Sequence, residues 1–226
     1  MLKNDKEYNY FEITSDSISR INYIINNMED KTSHNHYHII YDICNSIENN
    51  DIIYVEIGSY AGGSASLMST HPKVKKVISI DIAGPSMNHN WHKTMDICIR
   101  NVEKFKHSNC FYKYIEGDSA LQTTIQKLKE VVSEIDILFI DGNHNYNYVI
   151  NDFNNYKDFV KKGGYIIFDD YMDFQYSPEV HSAVNYVVEN LLQDEYEIIG
   201  SLVYEQIKET NIPSFPSSNE FILRKK

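Results

Sequence analysis

Asp141 and His144 follow an apolar run, Ile135 to Ile140, and a second apolar run from Gly164 to Phe168 ends in Asp169 and Asp170. Both runs read as buried strands, and a buried strand that stops at an acid sets charge at the carboxyl edge of a sheet, where open α/β folds bind ligands. Three carboxylates meeting there repel one another unless a cation sits between them. A lone Asp at a strand end is more often a turn former or helix cap. Three acids and a histidine at matching strand ends read instead as a divalent-metal site, with Asp141, Asp169 and Asp170 as ligands. Oxygen donors suit magnesium, manganese or calcium better than zinc, and magnesium is the first expectation. His144 is the candidate base beside Asp141, because an imidazole accepts protons near neutral pH.

A second constellation lies upstream. Glu56-Ile57-Gly58-Ser59-Tyr60-Ala61-Gly62-Gly63-Ser64 follows a strand-like run and opens a helix. Glycines there allow a sharp turn and close backbone approach to a ligand. Asp81, 23 residues after Gly58 at the end of the next apolar run, is placed to take both hydroxyls of a ribose. A dinucleotide site needs G-x-G-x-x-G, whereas this chain has Gly58-x-x-x-Gly62-Gly63 behind Glu56. An acid there repels pyrophosphate but suits a cationic amino-acid group, such as that of S-adenosylmethionine.

The elements that position these groups follow from periodicity. Ile18, Ile21, Ile24, Ile25 and Met28 make one helical face after Ser15 and Ser17, either of which can cap, and a second helix is predicted from Tyr37 to Ile47. Strands are predicted at 52–57, 76–81, 111–116, 135–140 and 164–168, with helices at 64–68, 91–105, 120–132, 146–160 and 178–192. Gly163-Gly164 reads as a helix stop, and 196–199 and 220–223 read as two last strands in antiparallel pairing. Such alternation argues for a parallel sheet covered on both faces. The expected division is an N-terminal helical segment, 1–50, over the pocket of one globular unit, 51–226.

At 226 residues with 42% apolar composition, the chain suits one well-buried α/β domain. Its net charge of −11 and scattered basic residues argue against a nucleic-acid partner, which needs a basic surface. The charged N-terminus lacks a signal-peptide core, and no run is long enough to span a membrane. Cys44, Cys98 and Cys110 read as reduced thiols, which points to the cytoplasm. His34, His36 and His38 alternate, which suits metal ligands or, more simply, a polar loop. His89, Trp91 and His92 either line the mouth or start a helix, and Tyr146 and Tyr148 can stack on a substrate ring.

Together, Glu56-x-Gly58-x-x-x-Gly62-Gly63-Ser64, Asp81, Gly117-Asp118-Ser119, Asp141-Gly142-Asn143-His144 and Asp169-Asp170 resemble the class I S-adenosylmethionine-dependent methyltransferases. They look most like the metal-dependent sugar O-methyltransferases of the macrocin and mycinamicin type, over roughly residues 50 to 175. The resemblance implies a Rossmann-like, doubly wound α/β sheet of seven strands, mostly parallel with an antiparallel last strand and helices on both faces. It implies that Glu56, Gly58, Ser59, Tyr60, Gly62 and Ser64 surround the methionine part, that Asp81 binds ribose, and that Ile82, Asp118 and Ser119 surround adenine. It also implies that the carboxylate-x-x-histidine and the later acidic pair hold magnesium and supply the base. Catechol methyltransferases are similar but typically carry lysine at the place of His144 and an Asp-Asn pair at the end. The expected reaction is methyl transfer to a hydroxyl of a small molecule, a sugar first, with no nucleic acid and no membrane; a homo-oligomer is left open. The rivals are a nicotinamide-dependent oxidoreductase and a catalytically silent methyltransferase-like binding protein.

Overall fold

The computed structural model describes residues 14–30, 37–84, 94–192, 194–202 and 220–226. Two helices lead, α1 (Ser15–Asn27) and α2 (Tyr37–Ser46). Strands and helices then alternate: β1 (Ile52–Ile57), α3 (Gly63–Ser69), β2 (Val74–Asp81), α4 (Thr94–Phe105), β3 (Phe111–Glu116), α5 (Gln122–Lys129), β4 (Ile135–Ile140) and α6 (Tyr146–Tyr156). The chain closes with β5 (Val160–Phe168), α7 (Pro178–Tyr186), β6 (Tyr196–Leu202) and β7 (Glu220–Lys225).

The seven strands lie in the order β3-β2-β1-β4-β5-β7-β6. All pairings from β3 across to β5 are parallel, and β7 runs antiparallel to both β5 and β6. Chain order reverses between β1 and β4, so the crevice outside their carboxyl ends is the topological switch point where such sheets take ligands.

Both faces of the sheet are buried, which explains strands that are apolar at nearly every position. Along β4, Ile137 and Phe139 join the core under α1 to α4, while Ile135, Leu138 and Ile140 join the core under α5 to α7. Tyr54 and Val55 of β1 divide the same way. Asp136 is tolerated inside β4 because Ile53 N donates to its Oδ2 at 2.9 Å and Lys161 pairs with its other oxygen.

Several boundaries differ from expectation. The cap of α1 is Thr14, not Ser15 or Ser17: its hydroxyl accepts from Ser17 N at 3.2 Å and donates to Asp42 of α2 at 2.7 Å. Gly163-Gly164 is no helix stop. α6 gives way to a single 3-10 turn, Lys157–Phe159, and β5 has already begun at Val160. The glycines belong to an irregularity in β5, where Gly164 passes so close to the Asp136 carbonyl that a Cβ would lie 2.8 Å from it. α5 is shorter than its periodicity, and α7 continues only as a π turn, Val187–Leu191. No helix among the described residues is long and apolar enough to cross a membrane.

Candidate functional site

The turn after β1 is built by backbone that most side chains cannot adopt. Gly58 has φ +83°, and a Cβ on it would collide with the carbonyl oxygen of Asp141. The pairing of Ile57 with Ile140 and the hydrogen bond from Asp141 N to Ile57 O bring the ends of β1 and β4 together at the switch point, and only a glycine fits there. Gly62 has φ +80°, where a Cβ would press on Cys98. Tyr60, between them, is also left-handed at φ 41°. Such a conformation persists only where surroundings hold it, and here Tyr60 N donates to Asp81 and its hydroxyl donates to Asp30 at 3.0 Å.

Two carboxylates organise this edge from within. Glu56 is fully buried; Tyr54 and Ser64 donate to its Oε2 at 3.0 and 2.7 Å, and Ser79 donates to its Oε1 at 2.7 Å. Burial still pushes its carboxyl up to about 7, against the three hydroxyls, which pull it down. Asp81 accepts from Ser59 N at 2.8 Å and Tyr60 N at 3.1 Å on one oxygen, and from Ala83 N at 2.9 Å on the other. It therefore ties β2 to the glycine turn. Beyond it stands Ile82, 69% exposed. Gly117 N donates to the Asp81 carbonyl at 2.9 Å, which sets Asp118 and Ser119 beside Ile82, and Asp118 accepts from Ala120 N at 2.9 Å. Gly58, Ser59, Tyr60, Gly62, Asp81, Ile82, Asp118 and Ser119 thus share one edge, while Glu56 and Ser64 lie beneath it and hold each other.

The acidic edge is adjacent. Asp141 N donates to Ile57 O, and Asp169 N to Ile140 O, so the sheet itself sets both acids at neighbouring strand ends. One oxygen of Asp141, one of Asp170 and a ring nitrogen of His144 all lie within 4.8 Å of one another. His144 Nε2 is 3.4 Å from Asp141 Oδ1, and its Nδ1 is 3.6 Å from Asp170 Oδ2. Asp169, expected as a third ligand, is buried and outside this convergent group, hydrogen-bonded to the Asp141 carboxyl. Burial, followed by the charges of Asp169 and Asp170, holds the Asp141 carboxyl well above the usual carboxylate range. Asp170 itself is left-handed at φ 58°. The donor set fits a divalent cation: the groups converge, and the electrostatic disturbance is the kind that positive charge relieves.

Two further residues reach the acidic edge without having been singled out. Tyr37, first in α2, is buried with its ring edge-on to Phe139, 6.3 Å between centroids. Its phenol is pushed up by burial and then by Asp141, Asp169, Glu56 and Asp170. Ser177 contacts both His144 and Asp170. Neither carries a sequence signal beyond a helix start. His38 is buried in α2 outside the convergent group; His34, His36, His89, Trp91 and His92 lie outside the described residues. Tyr146 packs on Tyr186, and Tyr146 N donates to Glu179 at 2.7 Å, joining the starts of α6 and α7.

Comparison with known proteins adds the family. A model described as a methyltransferase domain matches residues 55–171. Uncharacterized protein R132 of Acanthamoeba polyphaga mimivirus is 40% identical over 212 residues, 89% of this chain and 92% of that one. Among solved structures, an O-methyltransferase from Bacillus cereus in complex with SAH aligns with TM-score 0.62 and 14% identity, covering 94% of this chain and 92% of that one. An rRNA methylase from Streptococcus thermophilus gives TM-score 0.57 and 14% identity, with 85% and 97% coverage. The Methanococcus jannaschii fibrillarin pre-rRNA processing protein gives 0.54 and 18%, with 78% and 67%.

The expected partners are thereby corrected. Net charge argues against nucleic acid and for a small-molecule sugar acceptor, yet structures with this fold include an rRNA methylase and a pre-rRNA processing protein. The reason is physical: −11 is a sum over the whole chain, whereas a substrate meets the local field at one mouth.

Proposed function

This chain belongs to the methyltransferase-domain family, and we propose that it moves the methyl group of S-adenosylmethionine to an acceptor oxygen with the help of a divalent cation. The observation that carries the reading is the hydrogen bond from Asp141 N to Ile57 O, beside Gly58, whose backbone runs too close to the Asp141 carbonyl to admit a Cβ. It sets the glycine turn and the acidic cluster side by side in one crevice.

In this reading Gly58, Ser59, Tyr60 and Gly62 border the methionine part, Asp81 takes the ribose hydroxyls, and Ile82, Asp118 and Ser119 enclose adenine. Glu56 and Ser64 act from below, by fixing the turn. Asp141 and Asp170, with Asp169 behind them, would hold the cation, which when bound supplies positive charge that lowers the pKa of an acceptor hydroxyl. His144 accepts the hydroxyl proton as the new C–O bond forms and the methyl–sulfur bond breaks. The sulfonium leaves as a neutral thioether, so its positive charge is balanced by the proton on the imidazole. The sulfonium methyl is already activated, and the protein mainly aligns oxygen, carbon and sulfur.

The N-terminal segment covers the pocket in this account. Supporting it, buried Tyr37 lies within the field of the acids, Asp30 holds Tyr60, and Arg100 of α4 binds Glu29 through two hydrogen bonds of 3.0 and 2.7 Å. The nicotinamide reading falls with the family assignment; a silent cofactor-binding protein differs in transferring nothing. The test is label transfer from S-adenosylmethionine carrying a tritiated methyl group, offered cellular RNA and small-molecule extracts in parallel. Magnesium-dependent labelling of an acceptor oxygen, abolished by EDTA, is the expected outcome. Labelling on nitrogen, or labelling indifferent to EDTA, would overturn the proposed chemistry.

A further inference from the structure

Ser177 is the N-cap residue of α7, directly before Pro178, and is 2% exposed. A serine at that place ordinarily accepts a hydrogen bond from a backbone N–H two or three residues on, and losing the bond costs about 1 kcal/mol. Ser177 makes no such bond. Its hydroxyl is turned instead toward two groups of the acidic edge, 2.8 Å from Asp170 Oδ2 and 2.7 Å from His144 Nδ1.

Counting protons then orders the ring. A hydroxyl has one hydrogen, and an ionised carboxylate only accepts. Ser177 therefore donates to Asp170 and turns an oxygen lone pair to His144, where a 2.7 Å contact requires hydrogen on Nδ1. In the neutral ring the basic lone pair is left on Nε2; its 3.4 Å contact with Asp141 Oδ1 is long for a hydrogen bond and holds the ring less firmly than the 2.7 Å contact with Ser177. Asp170 cannot fix the ring directly, because its Oδ2 is 3.6 Å from Nδ1, too far for a hydrogen bond. The bond from Tyr146 N to Glu179 braces the start of α6 against α7 and keeps serine and imidazole in register.

We infer that Ser177 is a positioning residue that holds His144 in its Nδ1–H tautomer and presents Nε2 to the reacting proton. The inference deepens the proposed function, resting on His144 as proton acceptor, and explains why a buried cap serine forgoes its cap. An intermediary of this kind sets ring orientation as the partners of metal-bound histidines do.

The test is imidazole ¹⁵N spectroscopy of the full chain with labelled histidine, in EDTA at about pH 8.5, where an ordinary histidine is neutral. His144→Gln identifies the resonances of His144. Wild type is expected to show a protonated Nδ1 and a bare Nε2, and Ser177→Thr to retain that pattern. Ser177→Ala is expected to move the ring toward Nε2–H and to lower kcat about tenfold with KM for S-adenosylmethionine unchanged. A wild-type ring protonated on Nε2 would overturn the inference, as would Ser177→Ala keeping the wild-type tautomer. The wild-type spectrum decides even if a variant fails to fold. It also needs no turnover, so an inactive wild-type protein would count against the proposed function without deciding the tautomer.

Discussion

The two halves of the crevice treat their carboxylates in opposite ways. On the glycine side every acid is answered from within the protein: three hydroxyls converge on Glu56, and backbone N–H groups from two segments converge on Asp81. On the acidic side Asp141, Asp169 and Asp170 crowd one another, and Asp141 is driven toward its protonated form. Fully partnered polar networks rigidify a region, whereas uncompensated charge marks a place where something else completes the balance. The first side is a finished cradle; the second, in the proposed function, is the one a cation would complete.

The sharpest way to break this contrast is Asp141→Asn. Methyl transfer is expected to fall by about 10²–10³-fold, the scale of losing one preorganised electrostatic group, while the melting temperature holds or rises because a repulsive charge has gone. A variant that lost stability in step with activity would show that Asp141 is a structural acid. Glu56→Ala should do the reverse. It leaves the hydroxyls of Tyr54, Ser64 and Ser79 buried without their acceptor, at about 3 kcal/mol of stability measured by urea denaturation. A loss below about 0.5 kcal/mol would mean the cradle is not held by Glu56.

The same carboxyl predicts a pH trend. Burial raises Glu56 from 4.5 to about 7 in the folded state. Between those values the native chain binds more protons than the unfolded one, so stability declines as pH rises from about 4.5 to about 7 and then levels. The decline is on the order of 3 kcal/mol. Buried Asp152, also raised to about 7 by burial, adds in the same direction. Chemical denaturation across pH 5 to 8 with Glu56→Gln as reference checks it, and identical slopes for both proteins would remove Glu56 from the explanation. The smallest effect is expected of Ile82→Ala, on the exposed ledge. Cofactor affinity should weaken by about 1 kcal/mol, the scale of a few buried methyl groups, with stability unmoved; unchanged affinity in a calorimetric titration would take Ile82 off the adenine side.

How much of this was legible in the sequence depends on the range over which each feature is decided. The sheet was readable because each parallel strand is a short apolar run, and Asp81, Asp141 and Asp169-Asp170 mark where several of those runs stop. The glycine turn was readable for a similar local reason, since Gly58 and Gly62 adopt φ values that other residues resist. Features decided at a distance were not. Asp42, 28 residues from Thr14, selects the cap of α1. The path of β5 against Asp136 turned Gly163-Gly164 from a helix end into a strand irregularity. Tyr37 and Ser177 reach the acidic edge only after the helices have docked. The exclusion of nucleic acid does not follow, because a whole-chain charge does not speak for one mouth.

The most direct test of the central claim is a calorimetric titration of S-adenosylhomocysteine into the purified protein, once with magnesium and once with EDTA. The account expects one site per chain with a Kd on the order of micromolar in both buffers, because the glycine cradle is complete without the cation. No heat at several temperatures in either buffer would contradict it, and the crevice beside Gly58 would then not be a cofactor site.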